Sequence, residues 1–192
     1  MERRKEELEE YAYVVDYLPS GKSSSLKNES MVQLVGESHF TLLEAVTKPV
    51  EIRVGERVYI GKENRDKIEV IKGRIGYEDL TDSAKSELPN VVYAIIKNNE
   101  KRFVEFFNSA GPLNIRIHSL ELLPGIGKKH LEAILRARDE KPFESFEDIE
   151  KRVELIQNPA KMLSERVIIE LKGETRFYIL ARPPIQKRGK EY

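Results

Sequence analysis

Leu123-Pro124-Gly125-Ile126-Gly127-Lys128-Lys129 decides how this chain of 192 residues is read. It lies between a short apolar segment holding Leu120 and Leu122 and a strongly helical one from Leu131 to Arg138. Two glycines flank one apolar residue, and two lysines follow at once. Glycine tolerates positive φ and has no side chain to obstruct close approach. A helix N-terminus adds unsatisfied N–H donors and a partial positive charge. The pattern predicts a tight turn that presents bare backbone amides to an anion. No side chain in the turn does bond-making chemistry, so the anion is read as the phosphate of a nucleic-acid backbone. Lys128 and Lys129 gain nothing from the positive end of their own helix, which favours an external anion.

On either side of the turn the apolar residues recur with a helical period. Val91, Val92, Ile95 and Ile96 form one stripe, and Phe103, Phe106 and Phe107 form another on a helix ending near Gly111-Pro112. Both read as core rather than as base-stacking platforms. Ser119 is placed to cap the short helix before the turn, and His118 to cap or brace the hairpin. Leu131, Ile134 and Leu135 give the next helix its buried face. Ser145 with Asp148 forms a capping box. Asn158 caps a last helix, with Pro159 in its first turn and Gly173 at its end.

Before residue 80 the signals are those of strands. Tyr11 to Leu18 is aromatic and β-branched, and Pro19-Ser20-Gly21 breaks it. Gly21 to Ser30 is a polar loop, expected to be mobile. Met31 to Val35 and His39 to Val46 are separated at Gly36, Ile52 to Ile60 turns at Gly55, and Asp66 to Ile75 alternates in part. Five short strands in this length predict a closed or nearly closed barrel, which removes exposed edges. Phe177 to Leu180 reads as a late strand returning to it. The expected class is α+β: an OB-like small β-barrel over 1–82, with a strand at 175–181 available to complete it, then an α-helical helix-hairpin-helix domain over 83–173 and a basic disordered tail over 182–192.

Composition narrows the function classes. Thirty-three basic residues balance thirty-three acidic ones, so any basic surface is local. No cysteine occurs, which excludes disulfides and thiolate metal sites. Met1 to Glu10 has no apolar core for a signal peptide, and no run is long enough to span a bilayer. A soluble, cytoplasmic protein without a membrane role is expected. His39, His118 and His130 lack metal-ligand spacing, so no metal or cofactor is expected. There is no Walker loop, no Gly-x-Ser-x-Gly elbow and no paired-histidine zinc motif.

Ser119-Leu120-Glu121-Leu122-Leu123-Pro124-Gly125-Ile126-Gly127-Lys128-Lys129 resembles a helix-hairpin-helix motif, in which a Gly-hydrophobic-Gly hairpin binds phosphate without reading bases. Gly125, Ile126 and Gly127 match the hairpin, and Lys128 and Lys129 match the basic start of its second helix. Leu131 stands where many members have alanine. Over nearly the whole chain, Asn108 to Pro112, His118 to Gly127 and Pro142 to Ile149 are similar to an archaeal family of unknown function. Its members are thought to combine an OB-like barrel with this unit and to bind nucleic acid, with RNA favoured over DNA.

The expected function is non-catalytic nucleic-acid binding of weak sequence specificity, because backbone contacts position without reading bases. The binding residues are Gly125, Ile126, Gly127, Lys128, Lys129 and His130. The barrel's charged residues are mostly a solvated face; a few line a groove for single strands if Tyr59 or Tyr77 offers a stacking surface. Lys187, Arg188 and Lys190 either add backbone contacts or solubilise the tail. The ribosome-assembly or translation machinery is the conjectured protein partner. Two alternatives stand beside this reading. One is a protein-interaction adaptor. The other is a DNA-repair-type enzyme, for which Asp139, Lys141 and Asp148 are the available catalytic groups.

Overall fold

The computed structural model describes residues 8–21 and 29–185. The expected loop at 21–30 and tail at 182–192 fall largely outside the described residues. The described chain forms five antiparallel strands and then five α-helices. The strands are β1 (Tyr11–Leu18), β2 (Met31–Gly36), β3 (Leu42–Thr47), β4 (Arg57–Tyr59) and β5 (Ile68–Arg74). The helices are α1 (Asp82–Asn98), α2 (Glu100–Ser109), α3 (Lys128–Glu140), α4 (Phe146–Arg152) and α5 (Pro159–Lys172). Two 3₁₀ turns, Tyr77–Asp79 and Ser119–Leu122, precede α1 and α3. The chain divides into two compact units, Met1–Val91 with Glu170–Tyr192, and Val92–Ile169.

In the first unit the strands run β4-β1-β2-β3-β5. A bulge between Val14 and Asp16 shifts the register of β1 against β2, and such bulges bend a strand and increase its twist. Ala12, Val14, Val32, Leu34, Leu43, Ala45 and Ile68 turn to a common core, as the two-residue period of a strand requires. β2 is buried on both faces. On its other face Gln33 is fully buried, donating to the Glu44 carboxylate and the Asp79 carbonyl and accepting from the Thr81 N–H. The sheet is a half-barrel rather than a closed barrel, because β4 and β5 do not pair with each other among the described residues.

Two buried carboxylates organise the irregular parts of this unit. Glu9, 6% exposed, accepts from the N–H groups of Ser38, His39 and Thr41 at 2.8, 2.9 and 3.1 Å. That one side chain satisfies the turn between β2 and β3. Glu170, fully buried, accepts from Ile179, Leu180 and Ala181. The expected strand at 175–181 is therefore corrected: the segment has strand composition, but its amides converge on a carboxylate instead of joining the sheet.

In the second unit Phe103 and Phe107 are buried and Phe106 half-buried, as core positions. The ends of its helices are tied by side chains. Arg138 donates to the carbonyl of Phe107 in the last turn of α2 and to that of Ala110 just beyond it. Arg152 donates to the carbonyls of Ala137 and Lys141 at the end of α3. The Asn108 amide pairs in both directions with the peptide groups of Phe143, at 2.8 and 2.9 Å. Ser145 Oγ accepts from Asp148 N–H as expected, but Asp148 returns its carboxylate to Glu144 rather than to Ser145, so the capping box is only half formed. No helix among the described residues is long and apolar enough to cross a membrane.

Glu9→Ala should destabilise the protein by about 2–4 kcal/mol, because it orphans three amides whose desolvation costs ~1–3 kcal/mol each where water does not reach them. A Cβ at Gly36 would lie 2.1 Å from the Glu9 carboxyl carbon, so Gly36→Ala should displace the same carboxylate. In urea unfolding the double variant should lose little more than Glu9→Ala alone. Fully additive losses would show that Glu9 does not act through this turn.

Candidate nucleic-acid interface

The hairpin is built by one β-turn. Ile126 N–H donates to the Leu123 carbonyl at 3.1 Å, and Gly125 occupies the turn with φ +86°. A side chain is disfavoured at that φ, so a glycine is needed there. The turn sends Ile126 inward, where it is 7% exposed, beside buried Leu120 and Leu123. Gly127 then caps α3: its carbonyl accepts from Leu131 N–H at 2.9 Å. Ile134 and Ala137 give α3 its fully buried positions, while Leu131 and Leu135 are half-buried.

Gly127 differs from Gly125. Its backbone is extended, at φ −98° and ψ −176°, which any residue adopts. A Cβ there would meet nothing within 4 Å. Serine, threonine, aspartate or asparagine would cap the helix better. The 3₁₀ turn, α4 and α5 each start on such an acceptor, supplied by His118, Ser145 and Asn158. α3, like α2 at Asn99, starts without a side-chain cap.

The donors at this end divide into spent and free. The expectation that Ile126 offers its amide to a phosphate is corrected, because closing the turn consumes that N–H. Gly127 N–H donates to His130 Nδ1 at 3.3 Å, so the His130 ring folds back over the glycine amide. The N–H groups of Gly125, Lys128, Lys129 and His130 have no acceptor among the described residues. Gly125, Gly127, Lys128 and Lys129 are all exposed. Six expected residues are thus brought together in one turn, with the donor set shifted toward the first turn of α3.

Other candidate groups are held in local contacts. The cap of the 3₁₀ turn is His118 and not Ser119: His118 Nδ1 accepts from Leu120 N–H at 3.2 Å, and Glu121 accepts from His118 N–H at 2.9 Å. Ser119 instead donates its hydroxyl to the Gly111 carbonyl at 2.7 Å. The His118-x-x-Glu121 spacing was the available signal for this box. Burial, and then the nearby Arg138 guanidinium, hold the His118 imidazole below its ordinary range against the opposing pull of Glu121. Asp148 bonds Arg152, Lys141 pairs with Glu144, and Asp139 is exposed. No group of three or more histidine, aspartate or glutamate residues among the described residues is placed to hold a metal.

Residues 8–182 match a family described as "Protein of unknown function (DUF655)". The chain belongs to the DUF655 family. A DUF655 protein of known structure, Af1531 from Archaeoglobus fulgidus, is similar at a TM-score of 0.84 with 46% identity, over 91% of this chain and 100% of that one. The uncharacterised protein MJ0038 of Methanocaldococcus jannaschii is 44% identical over 180 residues, 92% of this chain and 82% of that protein. Both sources are archaeal, and the half-barrel followed by helices is the DUF655 fold. A more limited likeness reaches outside DUF655. The PolC-type DNA polymerases III of Thermotoga petrophila and Thermotoga maritima are 35% identical over 86 residues, 45% of this chain but 6% of theirs.

Two outcomes follow from the hairpin geometry. Gly125→Ala should cost roughly 1–2 kcal/mol through its positive φ, while Gly127→Ser, which suits the N-cap of α3, leaves stability unchanged or raises it; a loss from Gly127→Ser equal to that from Gly125→Ala in chemical unfolding would contradict the assignment. The second concerns pH. With the folded His118 pKa below the ordinary 6.5, the unfolded chain takes up this proton first, so stability is full above that value and declines as pH falls through it. His118→Asn keeps a cap acceptor and should flatten the melting-temperature profile between about pH 7.5 and 5.5. An unchanged profile would show that His118 does not titrate with folding.

Proposed function

We propose that this protein is a non-catalytic nucleic-acid-binding protein that holds one backbone phosphate at the start of α3. The supporting observation is that an exposed helix N-terminus begins on a glycine that neither φ nor any neighbour requires. Glycine is an accepted N-cap but a weaker one than serine or aspartate, and the missing side chain also admits the close approach of a ligand to the backbone. The phosphate sits on the amides of Lys128, Lys129 and His130 with Gly125 beside them, and the two lysine ammonium groups add charge. Such contacts give affinity that falls with salt and little sequence preference. The likeness to PolC-type polymerases supports a polynucleotide ligand. RNA is favoured through the family resemblance, and the name of those relatives gives DNA a competing claim.

A second reading, an interaction adaptor, has one observation in its favour. Ile115 is 99% exposed and Leu113 40% exposed on the loop before the 3₁₀ turn. Asn114 Oδ1 accepts from the N–H groups of Arg116 and Ile117 and so holds that loop in shape.

Binding to single- and double-stranded RNA and DNA across a salt series tests both readings. Gly127→Glu should melt like the parent and lose affinity about tenfold or more for every sequence. Lys128→Ala and Lys129→Ala should each flatten the log–log salt slope by ~0.7–0.9. Binding that survives Gly127→Glu would refute the phosphate grip. Absence of binding at low salt would transfer the case to the adaptor.

A further inference from the structure

The edges of the half-barrel, β4 and β5, face an opening that the sheet does not close. A cavity of about 590 Å³ lies there, lined by Tyr59 at the end of β4 and by Ile71, Gly73 and Arg74 of β5. Small-molecule sites commonly occupy ~300–1,000 Å³. Its lining combines apolar Leu8, Leu43, Tyr59, Ile60 and Ile71 with cationic Lys62, Arg65, Arg74 and Arg182. Three carboxylates also line it. One of them, Glu9, is already surrounded by three backbone N–H donors, and of the cations Arg65 and Arg74 also donate to the carbonyls of Gly61 and Pro183.

Three details mark this opening as more than a gap between edges. Thr41, which also lines it and is 3% exposed, has a buried hydroxyl with no hydrogen-bond partner among the described residues. Buried hydroxyls are almost always satisfied, so an orphan needs a reason. Gly73 has φ +148° with nothing within 4 Å of its missing Cβ, which leaves bare backbone on the wall. Tyr59 is positioned from both sides. Its ring meets Tyr11 edge-on at 5.3 Å between centroids, and its hydroxyl accepts from Glu63 N–H at 3.2 Å. A Cβ at Gly61 would lie 2.3 Å from that hydroxyl, so the ring keeps its place only over a glycine.

We infer that the opening between β4 and β5 is a nucleotide site, with the base against Tyr59 and Ile71, its polar edge served by Thr41, and the phosphate toward Lys62 and Arg65. The chemistry is that of a nucleoside monophosphate unit. A lining that mixes an aromatic and apolar residues with cations suits a planar ring that carries an anion, and neither a bare phosphate nor an uncharged ring uses both kinds of group. The unit is supplied by an unpaired strand or by a free nucleotide. This site is distinct from the hairpin and stands or falls separately from it.

Calorimetric titration of AMP, UMP, adenosine and inorganic phosphate into the full chain tests the inference, with Thr41→Val, Lys62→Glu and Gly127→Glu alongside. AMP or UMP should bind the parent and Gly127→Glu alike, and adenosine and phosphate should bind more weakly. Thr41→Val and Lys62→Glu should each weaken the nucleotide about fivefold or more. Thr41→Val should melt no lower than the parent, since it removes an unpartnered hydroxyl; Lys62, exposed and without a partner among the described residues, should be structurally neutral. A short oligouridylate that displaces the nucleotide identifies a strand as the source, and one that does not identifies the free nucleotide. No nucleotide binding, binding indifferent to both variants, or phosphate binding as tightly as AMP would overturn the site. Each of those results leaves Gly127-dependent binding of longer nucleic acid untouched, so the two claims fail separately.

Discussion

The positive φ of Gly125 is the constraint from which the hairpin follows. It allows the chain to reverse within one turn, and the reversal is closed by the Ile126 amide on the Leu123 carbonyl. Ile126 is thereby committed to the interior, and the next residue is the one at which α3 must begin. Every amide after that point faces outward until the helix ladder takes over, because a helix leaves its first N–H groups unsatisfied. One backbone angle thus places a buried anchor and an exposed row of donors on adjacent residues.

At several other element ends backbone groups without ladder partners meet side chains. Arg138 and Arg152 serve the carbonyl ends of α2 and α3, and Ser145 and Asn158 serve the amide ends of α4 and α5. Glu9 and Glu170 each collect three amides from irregular chain in the first unit. The starts of α2 at Asn99 and α3 at Gly127 have no side-chain cap, and at α3 the amides of Lys128 and Lys129 lie on an exposed surface. His130 is the one side chain that turns back on them, and its reach extends only to Gly127.

The legible parts of this sequence were those whose cause is local. Gly125-Ile126-Gly127, the Asn158-Pro159 helix start and the stripes of α1 and α2 depend on neighbours within a turn or two, and the structure has each of them. The five strands were legible from alternation, but closure between β4 and β5 was not, because pairing is a long-range property. Glu9 acts about thirty residues away, and no spacing rule connects it to Ser38 or Thr41. Phe177 to Leu180 was misread for the same reason: its residues favour strand, while Glu170 recruits their amides. The Ile126 amide shows a finer limit. The glycine pattern reveals that a turn exists there, but only geometry reveals which N–H the turn consumes.

The most direct test of the phosphate grip reads the amides themselves. A proton–nitrogen NMR titration of the full chain with a short RNA duplex should shift the backbone amides of Gly125, Lys128, Lys129 and His130 at the lowest ligand ratios. The Ile126 amide, held in its turn, should move least among its neighbours. Shifts centred on other surfaces, with these four amides unmoved at saturation, would contradict the account.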